Sequence, residues 1–247
     1  MEKIIIIGAT AEIAKQCAMI WLDESPKELL LVGRNEEKLA RQAENLNIRY
    51  PDSNITSATV NFNDHALIKK FIEDLYVKDS YDLVLIAHGV YINQQQAQEN
   101  LALCYQSLYI NALSPIFFAE SFAHCMQNKG HGKIAIISSV AGDRGRKSNY
   151  IYGAAKALLS TYAEGLQHRL YHLPVKIIVI KPGPTLSPFT EHLLHSKIKL
   201  AKASLVATDI VRGIKKSSPV IYTPKKWRII MWIIRMLPKK IFYRLNI

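Results

Sequence analysis

The chain has 247 residues, of which 49% are hydrophobic and 21% are charged, a balance that fits a globular protein and excludes a disordered one. Three widely spaced cysteines, Cys17, Cys104 and Cys125, speak against a disulfide framework or a metal site and favour free thiols in a reducing compartment. The formal net charge is +12, and residues 225–247 carry seven basic residues and no acidic one. This concentration of positive charge indicates that the segment binds a partner.

Short apolar runs alternate with segments of helical spacing along most of the chain. The apolar runs predict strands buried on both faces at residues 3–7, 28–32, 55–60, 83–87, 133–138 and 175–180, with a seventh strand at 220–222. Helical spacing predicts helices at about residues 11–23, 35–49, 64–77, 97–128, 149–172 and 207–217. This alternation predicts an α/β fold, a single doubly wound domain with a parallel seven-stranded sheet. Ligands of such sheets bind beyond the carboxyl ends of the strands.

The ends of the chain suggest its organisation. The apolar run in residues 1–8 is too short for a signal peptide, and no stretch approaches the roughly 18 uninterrupted apolar residues that a membrane-spanning helix needs. We therefore expect a cytoplasmic protein, with one folded domain at residues 1–222 and a basic amphipathic tail at residues 223–247.

The first predicted strand runs into a turn that opens a helix, Gly-Ala-Thr-Ala-Glu-Ile-Ala. Backbone N–H groups and the positive dipole end of a helix suit a pyrophosphate there. The turn holds one glycine where dinucleotide-binding loops usually have three, so an ordinary strand-to-helix turn stays an open alternative. The candidate contacts are Gly8, Thr10, Ala11, Glu12 and Ile13.

The second strand is followed by Arg34 and Asn35. In a dinucleotide-binding fold, a carboxylate at this place binds the ribose 2′-hydroxyl, whereas an arginine favours a 2′-phosphate. The sequence therefore predicts NADP(H) rather than NAD(H). Alternatively, Arg34 is a solvated residue before a helix that Asn35 caps.

Two further strand ends offer residues that can line the same site. Asn61 and Phe62 follow the third strand, and an asparagine amide can pair with an adenine edge. His88 and Gly89 follow the fourth strand, and glycine lets the backbone approach a cofactor ribose closely. We assign His88 no chemical role beyond lining the site.

Tyr152 and Lys156 stand four residues apart in a predicted helix, so their side chains share one face. A nearby cation favours the phenolate and lowers the pKa of a tyrosine from about 10 towards the range of a proton shuttle. Ser139 precedes Tyr152 by thirteen residues at a strand end, where its hydroxyl can polarise a carbonyl, and Asn111 can anchor a water chain from Lys156. Tyr222 has the same spacing to a lysine, but a proline intervenes.

Together these residues resemble the short-chain dehydrogenase/reductase family from about residue 3 to residue 222. The resemblance implies a Rossmann-type domain that binds NADPH and a catalytic tetrad of Asn111, Ser139, Tyr152 and Lys156. It also implies that Lys156 holds the nicotinamide ribose, that Tyr152 exchanges a proton with the substrate oxygen, and that the nicotinamide is flanked by Pro182, Gly183 and Ser187. Two departures stand out: Glu12 and Ala14 replace glycines of the family's turn, and Ile-Ala-His-Gly replaces its Asn-Asn-Ala-Gly.

The basic tail reads Trp-Arg-Ile-Ile-Met-Trp-Ile-Ile-Arg-Met-Leu at residues 227–237, a helix that suits an anionic membrane surface. The alternative is a final helix that docks on the core or on a partner subunit. Nucleic acid is not an expected partner, because no recognised motif accompanies the charge. Arg144, Arg146 and Lys147 can meet a substrate phosphate, or they form a plain solvated loop.

A narrower resemblance concerns the substrate. Gly-Ala-Thr-Ala-Glu-Ile-Ala, Ala-His-Gly, Ser-Ser-Val-Ala-Gly-Asp-Arg-Gly-Arg-Lys-Ser-Asn-Tyr and Tyr-Thr-Pro-Lys-Lys-Trp are similar to the reductases of polyprenyl-phosphate-linked keto-pentoses. That resemblance implies a small-molecule or lipid-linked sugar substrate, and the wider family implies a homodimer or homotetramer. The rival interpretations are a soluble reductase for an unrelated alcohol and a non-catalytic NADP(H)-binding protein whose tail recruits partners.

Overall fold

A computed structural model describes residues 1–194 and 198–245 and contains seven parallel strands in one sheet. Their order across the sheet is β3-β2-β1-β4-β5-β6-β7. The strands are β1 (Glu2–Ile7), β2 (Lys27–Gly33), β3 (Asn54–Thr59), β4 (Leu83–Ile86), β5 (Gly132–Ile137), β6 (Val175–Pro182) and β7 (Val220–Thr223). The predicted fold class and all seven predicted strands are confirmed, and the reversal of strand order beside β1 and β4 creates the crevice in which ligands of such sheets bind.

Ten α-helices are found among the described residues. They are α1 (Glu12–Glu24), α2 (Glu36–Arg49), α3 (His65–Lys78), α4 (Gln94–Glu99), α5 (Leu101–Leu108), α6 (Ser114–Lys129), α7 (Tyr150–Arg169), α8 (Ala203–Lys215), α9 (Lys226–Met236) and α10 (Lys239–Phe242). A π-helical turn, Tyr109–Leu113, joins α5 to α6, and 3-10 turns occupy Val140–Asp143 and Pro188–Leu193. The prediction of one continuous helix at 97–128 is therefore wrong, because α4 is separate and Asn100 caps the start of α5.

The four consecutive isoleucines of β1 show how the strands build the core. Ile5 and Ile7 pack into a layer with α3, α6 and α7, whereas Ile4 and Ile6 pack into the opposite layer with α1, α2 and α8. Successive side chains of a strand point to opposite faces, so a continuous apolar run fits a sheet that is covered on both sides. The expectation of two buried faces is wrong for β3, because this strand lies at the edge of the sheet and buries only Ile55.

One helical stretch of the described chain, Leu101–Lys129, is long and apolar enough to cross a membrane, with mean hydropathy 1.3. Polar residues such as Gln106, Asn111 and Glu120 interrupt this stretch, so it is not the run of about 18 uninterrupted apolar residues that the sequence was expected to lack. The large side chains of Phe118 and Phe122 in this stretch are fully buried in the core layer beside the sheet. Part of its apolar character therefore serves internal packing, although Leu101 and Tyr105 at its start are exposed.

Candidate active site

The turn after β1 lies against the end of β4 at the carboxyl edge of the sheet. Gly8 has φ +79°, and a Cβ atom there would lie 2.7 Å from the backbone nitrogen of His88, so only glycine fits. The N–H groups of Gly8 and Ala9 donate to the carbonyl of Val32 at the end of β2. The turn, β2 and β4 are thereby held together where the strand order reverses.

The first turn of α1 is open to a ligand. Ala11 occupies the N-cap position and contributes no side-chain hydrogen bond to the helix. The first N–H groups of a helix have no partner within the helix and attract anions together with the helix dipole. Thr10 beside this turn is exposed, whereas Ile13 packs against the core. These features fit a pyrophosphate at the position predicted from the sequence.

Glu12 lines a 520 Å³ cleft between α1 and the segment that follows β6. Gln16, one turn further along α1, donates a hydrogen bond of 3.0 Å to the Glu12 carboxylate and holds it along the flank of the helix. Ser187 lines the opposite side of the same cleft. The carboxylate therefore borders this cleft, where a ligand phosphate would have to share the space with it.

The residues that follow β2 and β3 differ in their exposure. Arg34 is exposed and makes no hydrogen bond or ion pair with the rest of the described chain, while Asn35 accepts the N–H of Lys38 and caps α2. Asn61 is exposed as well. The side chain of Phe62 is a core residue that packs on Phe118, so only its backbone is left to line a cofactor site.

His88 is buried between the glycine turn and α6. Its Nε2 lies 3.0 Å from the Ser114 hydroxyl, and its ring packs on that of Phe62 at 4.6 Å. Burial lowers the pKa of His88 to about 3, and the positive charges of Lys156 and Arg34 act in the same direction. The ring is therefore neutral at physiological pH and supports the wall of the site, consistent with the minor role expected for it.

The structure brings Ser139, Tyr152 and Lys156 together above the end of β5. Lys156 is 3% exposed, its Nζ donates to the carbonyl of Ile137 at 3.0 Å, and the same atom lies 5.9 Å from the centroid of the Tyr152 ring. The Ser139 hydroxyl accepts the N–H of Ala141, and it is near enough to Tyr152 to lower the pKa of the phenol. The expected convergence of hydroxyl, phenol and ammonium is thus present in the geometry.

Three small residues fix α7 against β5. Ser138 donates to the carbonyl of Lys156 at 3.0 Å, and its hydroxyl lies 2.7 Å from that of Ser160. Gly142 packs so closely on the backbone of Lys156 that a Cβ atom would approach it to 2.6 Å. These positioning residues were not singled out from the sequence, although the paired serines at the end of β5 were a visible signal.

Burial governs the protonation of the pair. It raises the pKa of Tyr152 to about 12, against the opposing effects of the Ser139 hydrogen bond and the charge of Arg146. Burial also lowers the pKa of Lys156 to about 7. In the free protein Lys156 is not among the groups that lower the pKa of Tyr152, and loss of solvation raises this pKa instead of the expected lowering. At neutral pH the phenol carries its proton.

Asn111 is fully buried within the π-helical turn. Its Oδ1 accepts the N–H of Val90, and its Nδ2 donates to the carbonyls of Val90 and Ser107. A Cβ atom on Gly89 would lie 2.9 Å from the Asn111 Oδ1. The side chain therefore fastens the segment after β4 to the π-turn, a type of helix distortion that is frequent at functional sites.

An aromatic group covers the open side of Tyr152. The ring of Phe189, from the segment after β6, lies 5.6 Å from that of Tyr152. Tyr91 lies 6.0 Å from Phe189 and stacks on His192 at 3.6 Å. Sequence reasoning missed this group, because its members come from two loops that only the fold brings together.

The exit of β6 is joined to the basic tail. Pro182 ends the strand, and a Cβ atom on the next residue, Gly183, would lie 2.0 Å from Nε1 of Trp227 in α9. The N–H of Gly183 donates to the carbonyl of Thr223. One face of the tail, with Met231 fully buried, therefore docks on the protein's own core, which was one of the open alternatives.

The loop before α7 is held by β6 and β7 on one side and by the tail on the other. Lys181 and Asp143 form a buried ion pair of 2.7 Å, and Tyr222 donates a hydrogen bond to Asp143. Arg144 donates to the carbonyls of Ile234, Arg235 and Leu237 at the end of α9, and its guanidinium stacks on Phe242 at 3.8 Å. Arg144 is therefore a structural residue, and neither a solvated one nor one available to a phosphate.

The strand order, the glycine turn and the Ser139–Tyr152–Lys156 group define the class of doubly wound, dinucleotide-binding oxidoreductases. The model of the short chain dehydrogenase family matches residues 2–197. The chain therefore belongs to the short-chain dehydrogenase family and is an oxidoreductase.

Relatives and solved structures agree with this membership. An uncharacterized oxidoreductase of Streptomyces coelicolor is 29% identical over 69% of this chain and 67% of its own length. An uncharacterized oxidoreductase of Mycobacterium tuberculosis strain H37Rv is 25% identical over 88% of this chain and 87% of its own. A short-chain dehydrogenase of Sphingobium yanoikuyae in complex with NADPH superposes with TM-score 0.82 at 17% identity over 97% of both chains. One from Burkholderia cenocepacia in complex with NADP gives TM-score 0.82 at 13% identity over the full length of both.

Proposed function

We propose that the protein is an NADP(H)-dependent oxidoreductase that interconverts a carbonyl and a secondary alcohol. The observation that carries the proposal is the convergence of Ser139, Tyr152 and Lys156 beside the glycine turn at the carboxyl edge of the sheet. When bound, NADPH supplies the hydride. This chain contributes the proton, the orientation of the substrate and the exclusion of water.

Each residue of the group has a distinct part in the proposed reduction. Tyr152 gives its proton to the substrate oxygen, which suits a phenol that remains protonated at neutral pH. Ser139 donates a hydrogen bond to the same oxygen. Lys156 stabilises the resulting phenolate by its charge and is positioned to hold the nicotinamide ribose. Asn111 positions the loop after β4 through its bonds to Val90.

The choice of NADP(H) rests on the exposed Arg34, which is free to bind a 2′-phosphate. Gly8, Ala11 and the open start of α1 support a pyrophosphate, and Asn61 is exposed where an adenine would lie. The two solved neighbours named above carry NADPH and NADP, which agrees with the proposal for this chain. Pro182, Gly183 and Ser187 would flank the nicotinamide end.

A Tyr152→Phe variant tests the chemistry. It should retain NADPH binding and lose about 10²- to 10⁴-fold in kcat, because only the proton donor is removed. Tyr150→Phe is the matched control, since Tyr150 lies on the same first turn of α7 but is exposed. Equal loss in both variants, or full activity of Tyr152→Phe with any carbonyl that oxidises NADPH, would refute the assignment.

The proposed substrate is a bulky keto-sugar, carried on a lipid or free, as the narrower resemblance implies. The aromatic group of Tyr91, Phe189 and His192 beside Tyr152 offers faces on which a sugar ring can stack. A screen of lipid-linked and free keto-sugars for NADPH oxidation tests this choice. Turnover restricted to simple aliphatic ketones would favour a reductase for an unrelated alcohol.

We further propose that the tail rests on an anionic membrane surface on the cytoplasmic side. The inward face of α9 is buried, yet the outward face carries a second apolar stripe of Ile229, Trp232, Ile233 and Met236, of which Trp232 is 65% exposed. Basic residues flank this stripe, and no acidic residue occurs in the tail. An apolar face framed by lysine and arginine complements the headgroup region of anionic lipids.

The membrane proposal is tested by sedimentation with vesicles of phosphatidylglycerol and phosphatidylcholine. The double variant Trp232→Ser, Ile233→Ser should lose binding, and Lys239→Glu, Lys240→Glu should weaken it strongly. Lys215→Glu, Lys216→Glu changes net charge equally on α8 and should bind like the wild type. Absence of wild-type binding would end the proposal, as would a change of oligomeric state in the serine variant, which would make the stripe a contact between subunits.

The family resemblance separately predicts a homodimer or homotetramer, measurable by light scattering.

The comparisons lend no support to a non-catalytic NADP(H)-binding protein. A protein of that kind would need no proton donor, so the arrangement of Tyr152 with Ser139 and Lys156 would have no function in it. Retention of function by the Tyr152→Phe variant in cells would favour it.

A further inference from the structure

Buried polar atoms without partners gather around the first turn of α7. Among the described residues, six buried side-chain atoms lack a hydrogen-bond partner, and three of them belong to Gln94, Arg146 and Asn149. Asn149 is the N-cap residue of α7, and the Gln94 Oε1 accepts the N–H of Ile151 on the same turn. Leaving a buried polar atom unpaired costs about 1–3 kcal/mol, so this concentration of donors and acceptors suits a polar ligand that pairs with them.

Arg146 is the most unusual of the three. Its side chain is half-buried, its Nε has no partner, and it forms no ion pair with any carboxylate of the described chain. Burial lowers the pKa of Arg146, and an ionised Tyr152 would act in the opposite direction. The carbonyl of Arg146 accepts the N–H of Asn149, the N-cap of α7, and Tyr152 lies in the first turn of that helix. A half-buried cation without a counter-charge is costly to the free protein unless a ligand supplies the charge.

The neighbouring basic residues differ in this respect. Arg144 is engaged by the carbonyls at the end of α9 and by the ring of Phe242. Lys147 is exposed to solvent. Of the three cations in this loop, Arg146 alone combines burial, proximity to Tyr152 and free hydrogen-bonding capacity.

We propose that Arg146, Gln94 and Asn149 form a subsite that binds an anionic, hydroxylated substituent of the substrate beside Tyr152. A guanidinium donates two parallel hydrogen bonds to an anionic oxygen group. The Gln94 amide supplies a further donor, and the Asn149 oxygen accepts from a hydroxyl. This set of groups matches a ketose that carries a phosphate or a carboxylate. The proposal rests on the reductase function argued above and specifies the charge of its substrate.

Binding to the NADPH-saturated protein tests the subsite without requiring turnover. The calorimetric probes are D-ribulose 5-phosphate, 2-keto-D-gluconate and neutral D-ribulose. The phosphate ester should bind about 10- to 100-fold more tightly than D-ribulose, the range expected for a charge-assisted hydrogen bond. Tighter binding of 2-keto-D-gluconate would instead identify a carboxylate as the recognised group. Arg146→Gln should abolish the preference, and Lys147→Gln should keep it.

Stability gives a second readout that a purely structural arginine would not give. Arg146→Met should leave the midpoint of urea unfolding of the free protein unchanged or higher, because it removes an unpaired charge. A loss of stability comparable to that of a core substitution would overturn the subsite, as would equal binding of anionic and neutral probes. If anion selectivity depends on Arg146 but no carbonyl oxidises NADPH, the proposed reductase fails and the anion subsite stands.

Discussion

Two of the three buried lysines in the described chain differ in a way that predicts opposite effects of the same substitution. Lys156 is 3% exposed and Lys181 is 6% exposed. Lys181 has a carboxylate partner in Asp143 at 2.7 Å, whereas Lys156 has only the carbonyl of Ile137. We expect Lys156→Met to stabilise the free protein and Lys181→Met to destabilise it.

The magnitudes follow from the charge that each substitution removes. Burial lowers the pKa of Lys156 from its ordinary 10.5 to about 7, and at about 1.4 kcal/mol per unit the charged form costs at most about 5 kcal/mol near neutral pH. Loss of the bond to Ile137 offsets part of this, so a net gain of about 2 kcal/mol, or roughly 4–8 °C in Tm, is expected. Breaking the buried Lys181 pair should cost about 3 kcal/mol.

The pH dependence separates this explanation from a simple packing effect. A lysine whose folded pKa is lowered reduces stability as pH falls from 10.5 towards 7, and the reduction is complete below 7. The advantage of Lys156→Met should therefore shrink by about 2 kcal/mol between pH 7 and pH 9. Urea unfolding followed by circular dichroism measures both quantities. If Lys156→Met is as destabilising as Lys181→Met, or its advantage is independent of pH, the reasoning is wrong.

Three further predictions concern activity, cofactor choice and the tail. Ketone reduction should decline above about pH 7 as Lys156 loses its charge, since Tyr152 stays protonated until about pH 12. Lys156→Arg should shift this decline to higher pH. A pH profile of kcat/KM without a decline above about pH 7 would contradict the prediction. Arg34→Ala should weaken NADPH binding about 10- to 100-fold and leave NADH binding unchanged in fluorescence titrations, and equal losses for both would refute the 2′-phosphate contact. Gly183→Ala should lower the free energy of unfolding in urea by about 1–3 kcal/mol, because the added methyl group displaces Trp227. The control Gly145→Ala, whose added methyl group meets no atom within 4 Å, should change it little. Similar losses for both variants would contradict the docking of the tail at Gly183.

The strands were predictable because the sheet is covered on both sides. Runs such as Ile4–Ile7 have few alternatives to a buried strand, and strand–helix alternation then limits the topology to a few possibilities. The site residues after β1, β4 and β5 could be located by the same reasoning. Each lies at a strand end, and all strands of a parallel sheet end at one edge.

Features that depend on distant contacts were not predictable. Helical spacing does not distinguish the π-turn Tyr109–Leu113 from an ordinary helix, because both place apolar residues on one face. Nothing local in the sequence indicates that Arg144 binds carbonyls about ninety residues away in α9. The direction of the pKa change at Tyr152 was also inaccessible, since it depends on how deeply α7 is buried.

The charges around Tyr152 suit its proposed role as a proton donor. Asp143 lies in the same loop as Arg146 yet is directed away, towards Lys181 and Tyr222. A carboxylate that paired with Lys156 or Arg146 would stabilise the free protein, but its negative charge would raise the pKa of Tyr152 further and oppose formation of the phenolate. The absence of an acidic partner among the described residues at this place therefore lowers stability and would favour the proposed proton transfer. Lys156→Met is expected to raise stability and Arg146→Met to leave it unchanged or higher. Both measurements test whether these two cations lack an acidic partner in the free protein.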